Sequence, residues 1–163
     1  MTGLLGSRRA RVAAACVVQL ALVAVAVAPQ LSARLTGEEL RLAVAPLDPI
    51  DPFRGAYVAL DYPDLPLRQE DKAPPLTGTV FVPLTPAGDV WEGGALTAQE
   101  PSSGRYLRCD TDGWRVRCGI ESLFASQDEA LRIERQLATG AVAVVRVDDR
   151  GNAAVVRVEA ARP

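Results

Sequence analysis

An apolar run near the N-terminus constrains this chain more than any other feature, because it predicts either a membrane anchor or a signal peptide. Residues 12–28 read VAAACVVQLALVAVAVA, and Gln19 is their one polar side chain. A helix of this length spans about 26 Å at ~1.5 Å per residue, close to the ~30 Å hydrocarbon core of a bilayer. With Pro29 at the interface, the run predicts a transmembrane anchor over 12–29, so that the bilayer is the first expected partner.

The charges on either side of this run predict its orientation. Arg8, Arg9 and Arg11 precede it without an acidic residue, whereas the chain from Glu38 onward carries all 20 acidic residues and 14 of the 18 basic ones. Basic residues are retained on the cytoplasmic side. We therefore expect a single pass through the cytoplasmic membrane, with the N-terminus inside and the body extracytoplasmic.

A cleaved signal peptide is the alternative for the same run. Ala24-Val25-Ala26 offers an A-x-A site after a short apolar region. Cleavage after Ala28 would place Pro29 just beyond the scissile bond, which is unfavourable. We favour the retained anchor, and in both cases the body is exported. The expected organisation is a basic cytoplasmic tail (1–11), the anchor (12–29), a linker (30–39) and a β-rich domain (40–163).

Composition excludes several classes of function. The body is acidic, and nucleic-acid binding needs concentrated positive charge, so we expect no nucleic-acid partner. Histidine is absent, which removes Ser-His-Asp and Cys-His catalysis and His-ligated metal sites. The acids of the segment after residue 47 do not follow the EF-hand spacing, so we expect no metal and no cofactor.

Alternating and valine-rich segments predict a mostly β fold for the body. The predicted strands are 40–45, 57–62, 79–84, a bent strand within 90–99, a hairpin within 105–117 around Asp-Gly, 141–147 and 153–159. Residues 63–78 contain four prolines and predict an exposed loop. Ser126 and Glu129 form a capping box that begins a helix running to about Ala138. Its apolar face holds Ala130, Ile133 and Leu137. We expect a small antiparallel barrel or curled sheet with one helix.

The stretch DPIDPFRGAYVALDY, residues 48–62, combines a stiff lead-in with a strand. Each proline fixes its own φ and pushes the preceding Asp to extended geometry, and Gly55 then permits a turn. Alternation in the strand places Val58, Leu60 and Tyr62 on one face and leaves Tyr57 on the other.

These residues resemble the motif of the GDYXXLXY family of bacterial proteins. The matching positions are Asp48, Pro49, Asp51, Pro52, Arg54, Gly55, Tyr57, Leu60 and Tyr62. A second segment, residues 118–124 (CGIESLF) followed by Ile133-Glu134, resembles the family's Gly-Ile-Glu then Phe segment. The resemblance covers residues 40–158, nearly the whole body. One position departs from the motif, since Ala56 stands where the family has Asp.

The resemblance implies a membrane-anchored, β-rich protein, often encoded beside multi-pass membrane proteins. We therefore predict a non-catalytic extracytoplasmic domain that binds a membrane protein partner. The predicted surface comprises Arg54, Tyr57, Gly119, Ile120 and Glu121, since Arg and Tyr are favoured at interfaces. No catalytic residue is assigned.

An envelope hydrolase is the alternative function. It would use carboxylates such as Asp51, Asp61 or Glu121, and would need a pocket that collects two of them.

Cys109 and Cys118 flank the predicted hairpin and could lie opposite each other across it. An exported domain meets oxidising conditions, so we expect a structural disulfide. Free thiols and a redox pair remain alternatives. Cys16 lies inside the apolar run and is interpreted as a small apolar residue of the membrane helix.

Overall fold

A computed structural model describes residues 8–46, 57–69, 75–137 and 140–161 of the chain. These residues form two helices and nine strands. In chain order the elements are α1 (Arg8–Thr36), β1 (Glu38–Pro46), β2 (Tyr57–Asp61), β3 (Gly78–Ala87), β4 (Val90–Gly93), β5 (Arg105–Thr111), β6 (Val116–Arg117), β7 (Ser122–Phe124), α2 (Gln127–Leu137), β8 (Ala141–Val147) and β9 (Ala153–Ala160).

The strands form two antiparallel sheets that share one hydrophobic core, so the curled antiparallel architecture expected for the body is confirmed. One sheet has the order β7-β2-β1-β8-β9 and the other β4-β3-β5-β6. The sheets are joined at one side by a backbone hydrogen bond from the Arg108 amide to the carbonyl oxygen of Gly151 (2.8 Å). The core takes side chains from both sheets, among them Leu40, Val82, Leu107 and Val145.

Strand β8 is buried along almost its whole length, which agrees with its apolar sequence AVAVVRV. It lies between β1 and β9, and a β-bulge interrupts its pairing with β9 between Val144 and Val145. Helix α2 packs against β1, β2 and β9, and the end of α1 packs against β8 and β9.

Helix α1 continues beyond the apolar run and contacts the domain directly. Residues 30–36, expected to form part of a linker, are helical, and β1 begins only two residues after Thr36. The helix passes through Pro29, which cannot donate a backbone hydrogen bond. Its last turns are held by contacts with the domain, since Ala33 is fully buried. The segment Ala10–Thr36 is long and apolar enough to cross a membrane, and its most apolar 18 residues have a mean hydropathy of 2.4.

The prediction of an exposed loop over 63–78 is wrong for its first part. Leu65 and Gln69 are buried. The Gln69 amide donates to the carbonyl oxygen of Trp114 (3.1 Å), and the Val116 amide donates to that of Leu67 (2.9 Å). The segment therefore pairs with the far side of the β5–β6 hairpin, which satisfies its backbone polar groups away from water.

Helix α2 begins as predicted, with half of the expected capping box. The Ser126 hydroxyl accepts a long hydrogen bond from the Glu129 amide (3.4 Å). The Glu129 carboxylate accepts from the Arg132 guanidinium instead of returning to Ser126. Ala130, Ile133 and Leu137 are buried, which confirms the predicted apolar face.

Candidate functional site

Strand β2 carries the second half of the motif and lies between β1 and β7. Val58, Leu60 and Tyr62 are all buried, which confirms the predicted inward face. The backbone of Tyr57 pairs with that of Phe124, whose side chain is exposed. The lead-in positions of the motif lie outside the described residues. They are Asp48, Pro49, Asp51, Pro52, Arg54, Gly55 and Ala56.

The two segments that carry the family resemblance contact each other, although about sixty residues separate them in the sequence. The hydroxyl of Tyr62 donates to the backbone carbonyl oxygen of Ile120 (2.8 Å) in the buried core. Burial, reinforced by the nearby Glu121 carboxylate, raises the pKa of Tyr62 far above its usual range, so its hydroxyl stays protonated. The Leu60 amide donates to the carbonyl oxygen of Glu121 (2.9 Å). The motif strand and the Gly-Ile-Glu segment therefore form one unit.

The Glu121 carboxylate organises the turn that precedes it. It accepts hydrogen bonds from the backbone amides of Cys118 and Gly119. Gly119 has φ of +79°, a conformation that favours glycine, and a β-carbon there would lie 3.1 Å from the Gln30 amide nitrogen of α1. Ile120 between them is fully buried, so its side chain belongs to the core. Of the predicted surface in this segment, Gly119 and Glu121 are the members that reach the solvent.

A disulfide joins Cys109 to Cys118, as predicted. Asp110 pairs with Arg117 in the β5–β6 register, so Cys109 and Cys118 lie directly opposite each other one residue further along the hairpin. The bond fixes the Cys118–Glu121 turn to β5. Cys16 remains a free thiol on the exposed surface of α1.

A surface groove of about 210 Å³ opens beside the motif strand, and we call it the motif groove. Its lining residues are Leu60, Asp61, Leu67, Arg68, Arg115, Val116, Arg117 and Glu121. The lining thus combines three arginines and two acidic residues with apolar side chains. The Arg117 guanidinium is also paired with Asp112 (3.6 Å). An isolated antiparallel β-bridge joins the backbones of Arg68 and Arg115, which places these two arginines at the same rim of the groove.

Sequence reasoning found the acidic side of this groove and missed the basic side. Asp61 and Glu121 were candidates, and both line it. Arg68 lies in the segment predicted to be an exposed loop, and Arg115 lies in a predicted hairpin with no expected neighbour. One signal in the sequence could have placed Arg68 beside Arg115. Leu65, Leu67 and Gln69 alternate along the segment, and this alternation is typical of a strand that packs one face on a neighbour.

The groove offers no cluster suited to a metal ion. Within the described ranges, no group of three or more Cys, Asp or Glu side chains is arranged to hold one. Its chemistry is that of charged hydrogen-bonding groups beside apolar side chains, which suits recognition of a polar surface or a peptide segment.

A comparison with family models gives one match. The model described as GDYXXLXY protein matches residues 19–158, which include the second half of α1, strands β1 to β8 and most of β9. No curated protein and no solved structure matches the chain.

Proposed function

Because the chain belongs to the GDYXXLXY family, we propose that it is a membrane-anchored domain that binds a membrane protein partner through the motif groove. The observation that carries this proposal is the groove itself, which collects charged side chains beside the family motif. Charged groups around an apolar floor are typical of the rim and centre of a protein interface.

The anchor supports a position at the membrane surface. Helix α1 is apolar enough to cross a bilayer and continues without a break into contacts with the domain. The domain is therefore held close to the membrane, where the loops of a multi-pass protein are within reach. The basic residues before the apolar run and the Cys109–Cys118 disulfide both support an extracytoplasmic location, since disulfides persist in oxidising compartments.

The charge of the groove indicates the chemistry of the partner. Arg68, Arg115 and Arg117 outnumber Asp61 and Glu121, and the Glu121 carboxylate already accepts two backbone amides. An acidic loop of the partner, presenting carboxylates to the guanidinium groups, is the best complement, because Arg binds carboxylates in a bidentate geometry.

Photocrosslinking in native membranes tests this proposal, with a photoreactive residue placed at Leu67 in the groove. We expect one multi-pass protein to be captured by the wild type and lost with Arg115→Glu, since charge reversal repels an acidic loop. Tyr57→Ala tests the surface predicted from the sequence. Arg132→Glu, on the exposed face of α2, is the matched control and keeps the capture. Equal capture by the Arg115→Glu and wild-type proteins would reject the groove as the binding surface.

An envelope hydrolase is a second candidate, favoured by one observation. Asp61 and Glu121, two of the carboxylates considered from the sequence, line the same groove. Asp51, the third, lies outside the described residues. If the groove is catalytic, Asp61→Asn abolishes turnover of ester, amide and glycoside substrates by the purified full-length chain while its melting temperature is unchanged. The absence of turnover by the wild type on all three classes would reject this candidate.

A further inference from the structure

A second cavity, of about 310 Å³, lies between α1 and the domain, and we call it the juxtamembrane cavity. Its lining residues are Pro29, Gln30, Arg108, Asp110, Arg117, Cys118, Gly119, Asn152 and Ala153. The volume lies at the lower end of the ~300–1,000 Å³ found for small-molecule sites. The motif groove lies next to it, and Arg117 lines both.

The position of this cavity along α1 places it at the membrane surface. Pro29 and Gln30 are the first two residues after the apolar run. The headgroup layer is about 5–8 Å thick on each side of the hydrocarbon core, the length of roughly four to five helical residues. A cavity lined by Pro29 and Gln30 therefore opens at the depth of the lipid phosphates.

The side chains of the cavity suit a phosphate group. Arg108 and Arg117 supply two guanidinium groups against the single carboxylate of Asp110, so the lining residues carry a net positive charge. Arg117 is also paired with Asp112 outside the cavity (3.6 Å), which leaves Arg108 as the main cation. Asp110 accepts from the Thr79 hydroxyl (3.1 Å) and is opposed by Arg117 across the strands. Within the described part of the chain, the Arg108 guanidinium forms no hydrogen bond or ion pair. Arg binds phosphate oxygens through two parallel N–H donors.

The walls of the cavity are held in place by contacts from both sides. The Gln30 side-chain amide donates to the carbonyl oxygen of Gly119 (3.1 Å), which joins the helix to the turn. The disulfide joins Cys118 of that turn to β5, and the Asn152 side chain donates to the Asp148 carboxylate (2.9 Å). A ligand would bind a preformed site, which lowers the entropy cost of binding.

We propose that the juxtamembrane cavity binds the phosphate of an anionic phospholipid headgroup, with Arg108 as its principal ligand. The site is distinct from partner binding at the motif groove, and it requires only that α1 spans the membrane. A zwitterionic lipid carries the same phosphate together with a cationic group, which the net positive cavity disfavours. The cavity therefore selects for net negative headgroups and fixes the domain on the bilayer surface.

Native mass spectrometry of the full chain in detergent micelles tests this proposal. The protein is supplied with equimolar phosphatidylglycerol and phosphatidylcholine, and the retained lipid is counted. We expect the wild type to retain phosphatidylglycerol about tenfold more than phosphatidylcholine, the factor for ~1.4 kcal/mol, because the positive cavity repels the choline group. Arg108→Gln reduces this preference to near unity. Circular dichroism confirms that the variant is folded.

Arg115→Gln is the matched control, because it removes one positive charge from the same hairpin. Arg115 lines the motif groove and not the juxtamembrane cavity. It keeps the lipid preference of the wild type. The lipid assignment is overturned if Arg108→Gln retains the preference, or if the wild type binds both lipids equally. Displacement of phosphatidylglycerol by inorganic phosphate at equal concentration would identify free phosphate as the ligand and also overturn it.

Discussion

Tyr62 is the residue on which the contact between the two family segments depends most directly. Its side chain is buried, and its hydroxyl donates a hydrogen bond to the backbone carbonyl oxygen of Ile120 in the core. Loss of the hydroxyl would remove this donor. A buried acceptor that loses its donor costs about 1–3 kcal/mol. The tyrosine at the last position of the motif is therefore explained by packing and one hydrogen bond.

Tyr62→Phe should lower the free energy of unfolding at neutral pH by about 1–3 kcal/mol, because it leaves the Ile120 carbonyl oxygen without this donor and removes little volume. The substitution should also change how the free energy of unfolding depends on pH in the alkaline range. The raised pKa means that the unfolded chain releases the Tyr62 proton near pH 10 while the folded chain keeps it. Stability from Tyr62 is thus complete below about pH 10 and declines above it by about 1.4 kcal/mol per pH unit. Urea unfolding between pH 7 and 12 measures both effects.

Tyr106→Phe is the control for this experiment. A hydrogen bond to Glu100, with burial, raises the pKa of Tyr106 to about 12, so it also titrates late. The control keeps the Tyr62 contribution to the alkaline decline, whereas Tyr62→Phe flattens that decline. Parallel curves for the Tyr62→Phe and wild-type proteins above pH 10 would contradict the assignment.

At the scale of elements, the junction between α1 and β1 is a close backbone contact at Gly37. A β-carbon at this position would lie 2.4 Å from the carbonyl oxygen of Ala33 and 2.9 Å from the backbone of Val147. The Arg146 side chain donates to the Gly37 carbonyl oxygen (2.9 Å). Since none of these backbone atoms can move independently, glycine is the residue that fits between the helix and β8.

Gly37→Ala should therefore destabilise the domain by about 1–3 kcal/mol, the usual cost of overpacking. It should also separate the end of α1 from β8, which raises hydrogen exchange at residues 30–36. Gly94→Ala is the matched control, because its β-carbon would have an ordinary contact of 3.5 Å with Pro83. Equal melting temperatures for the two variants would show that the junction adapts and that the close contact is not limiting.

The disulfide is the second element-scale feature with a measurable contribution. It closes a short loop, with a sequence separation of 9. Loop-closure entropy predicts about 2–3 kcal/mol of stabilisation for a loop of this size. Cys109→Ala with Cys118→Ala should lower the free energy of unfolding by that amount, and reduction with dithiothreitol should do the same in the wild type only. A double variant as stable as the wild type would show that the β5–β6 pairing holds the turn without the bond.

Most elements could be predicted from the sequence because their signals are local. The valine-rich strands β8 and β9, the apolar face of α2 and the cysteine pair across the hairpin all follow from periodicity or spacing. The misplaced parts depend on distant residues. Helix α1 passes Pro29 because Ser32 and Gln30 contact residues 148 and 119, and the segment around Leu67 is ordered by the hairpin near Val116.

The same difference explains the candidate site. The motif strand and the Gly-Ile-Glu segment can each be recognised from local sequence. Their contact through Tyr62 is a tertiary interaction, which local sequence does not reveal. The basic rim of the motif groove combines Arg68 with Arg115 and Arg117, which no local pattern connects.

At the scale of the whole molecule, α1 and the domain are coupled through Asp148. This buried carboxylate accepts from the Ser32 hydroxyl of α1 (2.5 Å) and, in its own turn, from the amides of Arg150 and Asn152 (2.9 Å each). Burial alone would raise its pKa, but the hydrogen bonds from Ser32, Asn152 and the backbone amides outweigh it, so that the pKa is lowered. The contribution of Asp148 is therefore present above about pH 4 and lost as the pH falls below it.

Ser32→Ala should uncouple the helix from the domain without unfolding the domain, because Asp148 keeps its three donors within the β8–β9 turn. We expect hydrogen exchange at residues 30–36 to rise about tenfold in nanodiscs at pH 7, the factor for ~1.4 kcal/mol. Lowering the pH of the wild type below about 4 should produce the same loosening. Thr36→Ala is the matched control, since the Thr36 hydroxyl donates to the backbone carbonyl oxygen of Ser32 within the helix and not to the domain. If the exchange of Ser32→Ala equals that of the control, the remaining contacts, among them the Gln30–Gly119 hydrogen bond and the packing at Ala33, hold the helix. The juxtamembrane cavity then keeps its shape without the Ser32–Asp148 contact.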